Sequence, residues 1–139
     1  MTVKVGINGF GRIGRNILRG IIESGRQDIE VIAINDLGPV EMNAHLLQFD
    51  SVHGRLPFDV AVINGKINVA GNNIRVSSER DPSLLNWSDV DVALECTGFF
   101  TDRTKAELHL KNGSKKVLVS APSSGADKTV VYGVNPVSY

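Results

Sequence analysis

Three glycines near the start of the chain have the spacing of a phosphate-binding turn. Gly9, Gly11 and Gly14 form the pattern G-x-G-x-x-G within the stretch GINGFGRIGRN. In this pattern the first glycine allows a tight turn, the second leaves the backbone bare, and the third lets a helix pack closely on a strand. A pyrophosphate can then meet backbone N–H groups at the positive end of a helix dipole. The alternative is that these glycines serve only turning and packing.

An acidic residue follows at the distance that a dinucleotide site requires. Asp36 ends the stretch VIAIND, 22 residues beyond Gly14, where the motif expects a separation of about 20. A carboxylate there accepts hydrogen bonds from the adenosine ribose hydroxyls and repels the additional phosphate of NADP. We therefore predict NAD as the cofactor, with Asn35 and Asp36 at the site, and Arg12 could soften the preference over NADP. The alternative is that Asn35 and Asp36 form an ordinary turn or a helix cap.

Two later stretches carry side chains that suit a flat and mostly uncharged ring beside a polar amide. ECTGFF and VSAPS follow two further apolar runs and supply a small polar group, bare backbone, aromatic surface and a hydroxyl, namely Thr97, Gly98, Phe99, Phe100 and Ser120. In a doubly wound sheet, ligands bind outside the carboxyl ends of the strands, which is where these residues would lie. Taken singly, Phe99 and Phe100 are better explained as core residues and Ser120 as a turn residue.

The cysteine and the histidines do not form a reactive or metal-binding pattern. Cys96 is the only cysteine, and it ends an apolar run with no cationic neighbour to stabilise a thiolate, so we predict structural burial. His45, His53 and His109 lack the spacing of metal ligands. We therefore assign no catalytic residue and no metal site.

Short β-branched runs indicate the strands that would position these residues. We predict strands at Val3–Ile7, Ile29–Ile34, Val90–Leu94, Lys116–Val119 and Thr129–Val134. A separate group of extended runs, interrupted by Asn64-Gly65 and by Gly71-Asn72-Asn73, predicts a small antiparallel insertion at Val60–Ile63, Lys66–Val69 and Ile74–Ser77.

Helical spacing separates the strands. The first helix is predicted from Ile13, Ile17 and Ile21, with Leu18 and Ile22 beside them, and with Arg15, Arg19 and Glu23 on the opposite face. Gly25 is a stop signal. A second helix is predicted over Val40–Phe49 with Pro39 near its first turn, and a third over about Asp102–Lys111. The pattern predicts an α/β fold, a doubly wound Rossmann-type parallel sheet with a small antiparallel insertion.

Composition narrows the classes of partner. The 139 residues fit one domain, and 15 basic residues balance 15 acidic ones without a block of like charge. We therefore expect a small-molecule partner rather than nucleic acid or a membrane surface. The single cysteine suits a reducing compartment, for which the cytoplasm is the simplest expectation.

Several motifs together resemble one family. KVGINGFGRIGRN, AINDL, DSVHGR, ECTGFF, KKVLVSAPS and TVVYGVN, spread from Val3 to Asn135, are similar to the N-terminal half of phosphorylating glyceraldehyde-3-phosphate dehydrogenase of the bacterial type. The resemblance implies that residues 1–139 form an NAD-binding domain and that the catalytic domain is absent. It also implies a set of cofactor-binding residues: Gly9, Phe10, Gly11, Arg12, Ile13, Gly14, Asn35, Asp36, Arg80, Thr97, Gly98, Phe100 and Ser120.

Within this set, the resemblance assigns individual roles. Gly9 to Gly14 would surround the pyrophosphate, with contacts from Arg12 and Ile13, and Asp36 would bind the adenosine ribose. Arg80 would lie near the adenine. Thr97, Gly98 and Phe100 would line the adenosine pocket, and Ser120 would approach the nicotinamide.

The same resemblance implies a partner half. The family's nucleophile is a cysteine in an S-C-T-T-N motif and its general base is a histidine further on, and the 139 residues contain neither motif. We therefore expect NAD binding without turnover, the catalytic half of the same enzyme as a partner, and a homo-oligomer in the full-length protein. Two alternatives stay open: the first half of erythrose-4-phosphate dehydrogenase, or a stand-alone nucleotide-binding module.

Overall fold

The computed structural model describes residues 2–121 and 123–130. The strands are β1 (Val3–Asn8), β2 (Ile29–Asn35), β3 (Phe49–Asp50), β4 (Gly54–Arg55), β5 (Val60–Ile63), β6 (Lys66–Val69), β7 (Asn72–Ser77), β8 (Val92–Glu95) and β9 (Lys116–Val119). The helices are α1 (Arg12–Glu23), α2 (Val40–Gln48), a 3-10 turn (Pro82–Leu84), α3 (Arg103–Ala106) and α4 (Leu108–Lys111). In this part of the chain no helix has both the length and the apolar character needed to cross a membrane.

A seven-stranded sheet organises the fold in the order β5-β6-β7-β2-β1-β8-β9. The five strands from β7 to β9 run parallel, whereas β5 and β6 are antiparallel additions at one edge. From the central β1 the chain moves outward to β2 and β7, and then returns to the other side of β1 to form β8. The strand order therefore reverses between β1 and β8, which is where doubly wound sheets bind ligands. The fold prediction is confirmed.

Two separate buried clusters show that both faces of the sheet are covered. The larger cluster packs Leu18 and Ile22 of α1 and Leu47 of α2 against sheet residues such as Ile7 and Ile34. The smaller cluster centres on Trp87, with Leu85, Val90, Ala33 and Ala93 around it. Strands with apolar neighbours on both faces read as continuous apolar runs, which explains why β1, β2 and β8 could be predicted.

The buried face of α1 differs from its prediction by one position. The residues of the buried face are Gly14, Leu18 and Ile22, spaced four residues apart, whereas Ile13 is 51% exposed at the first turn. Arg19 was expected on the polar face and is instead 4% exposed. Its guanidinium group is buried because it donates to backbone carbonyls beyond the helix: Leu47 O, Gln48 O and Gly54 O. Gly25 follows the helix with a φ of 70°, so the stop signal is confirmed.

The antiparallel insertion has the predicted strands and joins the main sheet through β7. Asn64 and Gly65 both have positive φ and connect β5 to β6, as expected for an Asn-Gly hairpin. A second two-residue turn at Ala70-Gly71 places Val69 opposite Asn72, so β7 begins two residues earlier than predicted.

Three other predictions need correction. The third helix is divided at Glu107, because Leu110 N–H bonds three residues back to Glu107 O and tightens the turn. The strand predicted from Val90 begins at Val92, since Val90 N–H bonds to Trp87 O in a turn. Of the strand predicted over Thr129–Val134, residues 129 and 130 lie outside any strand, and residues 131–134 are outside the described part of the chain. The short β3–β4 hairpin was not predicted.

Candidate cofactor-binding site

The carboxyl ends of four parallel strands carry polar side chains that meet at one edge of the sheet. Asn8 ends β1, Asn35 ends β2, Ser77 ends β7 and Glu95 ends β8. The register pairs Asn8 with both Asn35 and Glu95, and Asn35 with Ser77. The loops that follow these strands therefore begin side by side at the point where the strand order reverses.

The three glycines of the first loop meet different requirements. A Cβ on Gly9 would lie 2.8 Å from Thr97 N, and the φ of 93° is itself unfavourable for any other residue. A Cβ on Gly14 would lie 2.3 Å from Gly9 O, so this glycine allows α1 to approach β1 closely. A Cβ on Gly11 would meet no atom within 4 Å among the described residues. Gly11 therefore adjoins open space in which a ligand could contact the backbone.

The amino end of α1 opens into this same space. Gly11 is the N-cap, no side chain of the described residues caps it, and Arg12 and Arg15 are the charged residues of the first turn. The helix has 12 residues, and the first N–H groups of any helix lack intrahelical partners. Such an end attracts an anion through its N–H groups and its dipole.

The Arg12 side chain is 56% exposed but has an acidic partner. Its guanidinium group lies 3.6 Å from the Asp50 carboxylate, which belongs to the β3–β4 hairpin. The pKa of Asp50 is lowered mainly because its carboxylate accepts hydrogen bonds from the Val52 and His53 N–H groups, with a smaller contribution from Arg12. The predicted phosphate contact by Arg12 therefore begins from a side chain that is already oriented by the hairpin.

Asp36 lies directly beside the glycine loop. One carboxylate oxygen accepts a hydrogen bond from Phe10 N–H at 2.9 Å. The other accepts from Gly38 N–H at 3.0 Å and from the Asn43 amide at 3.1 Å. The predicted ribose-binding residue and the predicted pyrophosphate loop are thus connected by a hydrogen bond, with Asp36 still half-buried at the edge of the site.

Asn35 fixes the strand end from which Asp36 projects. Its amide nitrogen donates to Asn8 and to Glu79 O, and its amide oxygen accepts from the Ser77 hydroxyl and from Glu79 N–H, all at 2.8 Å. The residue is 3% exposed. The Asn35 side chain therefore joins the ends of β1, β2 and β7.

Glu95 is a central residue that the sequence analysis missed. Its carboxylate is fully buried, and one oxygen accepts from the Asn8 amide and from His109 Nε2, both at 2.7 Å. The other oxygen accepts from Thr97 N–H at 3.0 Å and from the Thr97 hydroxyl at 2.5 Å. Burial alone would raise the pKa of Glu95, but the hydrogen bonds from His109, Thr97 and Asn8 outweigh burial and lower it.

The loop after β8 is held by this carboxylate. The Thr97 hydroxyl donates to Glu95 and accepts from Phe99 N–H at 3.1 Å. The Thr97 side chain therefore connects Glu95 to the backbone of the loop at Phe99. Gly98 has a φ of 80°, as a tight reversal requires. Phe99 is 78% exposed, so its alternative assignment to the core is wrong, whereas Phe100 is half-buried.

The remaining predicted residues differ in how far they are buried. Ser120 follows β9 and its hydroxyl donates to Glu95 O at 3.2 Å. Arg80 is exposed shortly after β7. The Phe10 side chain is 1% exposed, so this residue reaches the site through its backbone, whose N–H binds Asp36 and whose carbonyl accepts from Arg15.

The structure defines the surroundings of the cysteine and of two of the histidines. Cys96 is half-buried, and burial raises the pKa of its thiol, which disfavours a thiolate. His109 is fully buried, where it binds Glu95 and stacks on Trp87, and His45 lies beside Phe49. Within residues 2–121 and 123–130, no group of three potential ligands could hold a metal ion.

Taken together, the sheet order, the bare glycine turn at an open helix end and the adjacent carboxylate define a dinucleotide-binding domain of the doubly wound α/β class. Residues 3–103 match the family model described as "Glyceraldehyde 3-phosphate dehydrogenase, NAD binding domain". The chain belongs to this family, and the resemblance inferred from its motifs is confirmed.

Similar proteins extend the match beyond the family model. The glyceraldehyde-3-phosphate dehydrogenases of Cereibacter sphaeroides and Xanthobacter flavus are 63% and 65% identical, each over 97% of this chain. Glyceraldehyde-3-phosphate dehydrogenase 1 of Bacillus subtilis is 51% identical over 100% of the chain. The chain spans 40%, 41% and 42% of the lengths of these three relatives.

Proposed function

We propose that this chain binds NAD across the carboxyl edge of its sheet and serves as the cofactor half of a glyceraldehyde-3-phosphate dehydrogenase. The observation that carries the proposal is the open space at Gly11, where the uncapped amino end of α1 adjoins the Asp36 carboxylate. Bare backbone, helix N–H groups and a nearby acceptor are the features that a pyrophosphate and its attached ribose require.

The proposed contacts follow the order of the loops along the edge. The backbone from Gly9 to Gly14 would surround the pyrophosphate, with Phe10 contributing only its main chain. Asp36 would accept from the adenosine ribose hydroxyls, and Asn35 would hold Asp36 in place. The adenosine and nicotinamide pockets would be lined by residues that surround the same edge: Arg80, Thr97, Gly98, Phe100 and Ser120.

The charge at Asp36 favours NAD over NADP. A 2′-phosphate would approach the carboxylate that lies beside the proposed ribose position, and like charges at hydrogen-bond distance repel strongly in a partly buried site. Arg12 is a candidate to offset that repulsion, but it is paired with Asp50. The proposed preference for NAD therefore depends on the Asp36 carboxylate, which is held in place by three hydrogen bonds.

For the whole protein we propose the activity carried in the relatives' name. Bound NAD would accept hydride during oxidation of the aldehyde, while the residues described here bind and orient the cofactor. The thiol that attacks the aldehyde and the histidine base would come from the catalytic half, which is the proposed partner of this domain, in a homo-oligomeric protein of the cytoplasm.

The test uses two glycines of the same helix region. Gly11→Val places a branched side chain in the open space where the pyrophosphate would lie, and a Cβ there meets no described atom of the protein within 4 Å. Gly20→Val is the matched control, because a Cβ on this exposed glycine of α1 also meets no described atom within 4 Å. We expect Gly11→Val to weaken NAD binding by at least about 100-fold in calorimetric titration, since a blocked backbone contact removes several hydrogen bonds.

The control separates blocking of the ligand from damage to the helix. Gly20→Val should bind NAD as the wild type does and should melt at a similar or slightly lower temperature. Retained NAD affinity in Gly11→Val, or an equal loss in both variants, would contradict the proposed pyrophosphate site.

A further inference from the structure

The Asp36 carboxylate is held from a direction that the NAD-binding motif does not include. Beyond the bond from Phe10 N–H, its second oxygen accepts from Gly38 N–H at 3.0 Å and from the Asn43 side chain at 3.1 Å. Three donors from three places occupy most of the acceptor positions of one carboxylate. The orientation of Asp36 is thus determined by Gly38 and Asn43, which lie outside the glycine loop, together with Phe10 within it.

Asn43 acts from behind Asp36 rather than from the ligand side. It lies in the first turn of α2, where its N–H bonds to Pro39 O, and the whole residue is 4% exposed. Because an ionised carboxylate only accepts hydrogen bonds, the Asn43 amide nitrogen must face Asp36. A residue so buried has no surface with which to contact a nucleotide.

Gly38 provides the space that this contact needs. A Cβ at Gly38 would lie 3.1 Å from Asp36 Oδ2 and 3.7 Å from Asn43 Oδ1. A methyl group there would press on the carboxylate oxygen that Asn43 holds. Gly38 and Asn43 therefore constrain the same oxygen, one by leaving room and one by donating a hydrogen bond.

We propose that Asn43 is a positioning residue that determines specificity for the nucleotide, favouring a free 2′-hydroxyl on the adenosine ribose over a 2′-phosphate. The proposal rests on the proposed function, because it deepens the role of Asp36 in binding NAD. A carboxylate fixed by Asn43 is preorganised to accept from ribose hydroxyls. The same fixation prevents the carboxylate from rotating away from a 2′-phosphate, so the repulsion is kept.

The test uses two variants near Asp36 and one control variant in α2. Asn43→Leu removes the donor and keeps the shape, and Gly38→Ala displaces the same Asp36 oxygen by a different route. Gln48→Met is the matched control, because Gln48 is a buried amide of α2 that bonds Leu56 O, Phe58 O and Val60 N–H, with no hydrogen bond to Asp36. Each variant of the full chain is titrated calorimetrically with NAD and with NADP, and its melting temperature is recorded.

The expected result is a change in the ratio of the two dissociation constants. In Asn43→Leu the affinity for NAD should fall about fivefold while the affinity for NADP is unchanged or improves, as loss of one charge-assisted hydrogen bond to a binding group implies. Gly38→Ala should change the ratio in the same direction. Gln48→Met should lower the melting temperature at least as much and leave the ratio unchanged.

The outcomes separate this proposal from the one on which it depends. If both Asn43→Leu and Gly38→Ala keep the wild-type ratio, or if Gln48→Met changes the ratio equally, the positioning role of Asn43 is wrong while NAD binding stands. If the wild type binds neither nucleotide, the proposed function itself fails.

Discussion

At the scale of single residues, the site depends on a buried carboxylate whose acceptor positions are all used. Glu95 receives two hydrogen bonds on each oxygen, from Asn8, His109 and Thr97. Because the carboxylate can only accept, His109 must carry its proton on Nε2, and within the described residues its buried Nδ1 has no hydrogen-bond partner. One charge thus connects the end of β1, the loop after β8 and α4.

We expect Glu95→Gln to lower the free energy of unfolding in a pH-dependent way. The neutral amide cannot accept all four hydrogen bonds, so we expect the free energy of unfolding to fall by about 1–3 kcal/mol near pH 7. The folded pKa of Glu95 is lowered, so its stabilising contribution is present above the unfolded value of about 4.3 and is lost as the pH falls through the folded pKa. Denaturant unfolding at several pH values should therefore show the gap between wild type and variant closing below about pH 4. A gap independent of pH would mean that Glu95 is not the ionised acceptor described here.

The residue scale also shows which parts of the site could be predicted. Gly9, Gly11 and Gly14 are recognisable because their requirements are local, and Asp36 because its separation from them follows from one strand–helix–strand unit. The role of Glu95 could not be predicted, because Asn8 is 87 residues away and His109 lies in α4, a separate element. The one available signal was a carboxylate at the end of an apolar strand, which requires partners when buried.

At the scale of elements, Arg19 joins α1 to the end of α2. Its guanidinium group donates to Leu47 O and Gln48 O at the carboxyl end of α2, and to Gly54 O in the β3–β4 hairpin at 2.6 Å. These carbonyls include groups that a helix leaves unsatisfied at its carboxyl end. The same hairpin carries Asp50, which pairs with Arg12, so Arg19 supports the surroundings of the pyrophosphate loop.

Arg19→Lys should destabilise this junction even though the charge is kept. A single ammonium group cannot reach carbonyls on two elements as a planar guanidinium does, so we expect a loss of about 1–3 kcal/mol in the free energy of unfolding. Arg26→Lys is the matched control, because Arg26 forms an exposed ion pair with Asp28 and the change should be too small to measure. Hydrogen exchange should quicken at residues 47–56 more than in β1, and equal effects in both variants would contradict the assigned role.

Features of the helices and strands that depend on local sequence were predicted, whereas features that depend on contacts between elements were missed. The strands β5 and β6 were predicted in full because Asn64-Gly65 specifies its own turn. The burial of Arg19 was missed because helical periodicity alone places a charge on the solvent face, and the carbonyls that recruit it lie on another helix. The break at Glu107 was likewise invisible in a sequence whose spacing fits one continuous helix.

At the scale of the whole molecule, the chain presents the candidate cofactor site along one edge of the sheet and a half-buried thiol at Cys96. Cys96 packs against the core, and burial raises the pKa of its thiol. Large apolar side chains at the same edge of the sheet are exposed, including Ile13, Leu37 and Phe99. The doubly wound parallel sheet with its antiparallel insertion could be predicted from the alternation of strands and helices, whereas the order of the strands in the sheet was not predicted.

The 139-residue chain should therefore bind NAD and produce no NADH from glyceraldehyde 3-phosphate and phosphate. The reason is that the pKa of Cys96 is raised and the sequence contains no S-C-T-T-N motif. Absorbance at the NADH band after mixing measures turnover, and calorimetry measures binding. Cys96→Ser should bind NAD as the wild type does. A burst of NADH that disappears in Cys96→Ser would contradict this prediction and assign the thiol a chemical role.

The contact between the first loop and the loop after β8 limits how such sequences can diverge. A side chain at Gly9 would collide with the Thr97 methyl group at 2.8 Å, but also with Thr97 N and the Cys96 carbonyl carbon at 2.8 and 2.9 Å. Because two of these obstacles are main chain, trimming Thr97 cannot make room. No substitution at position 97 would allow a residue other than glycine at position 9. Position 97 itself can change to another residue whose hydroxyl replaces that of threonine.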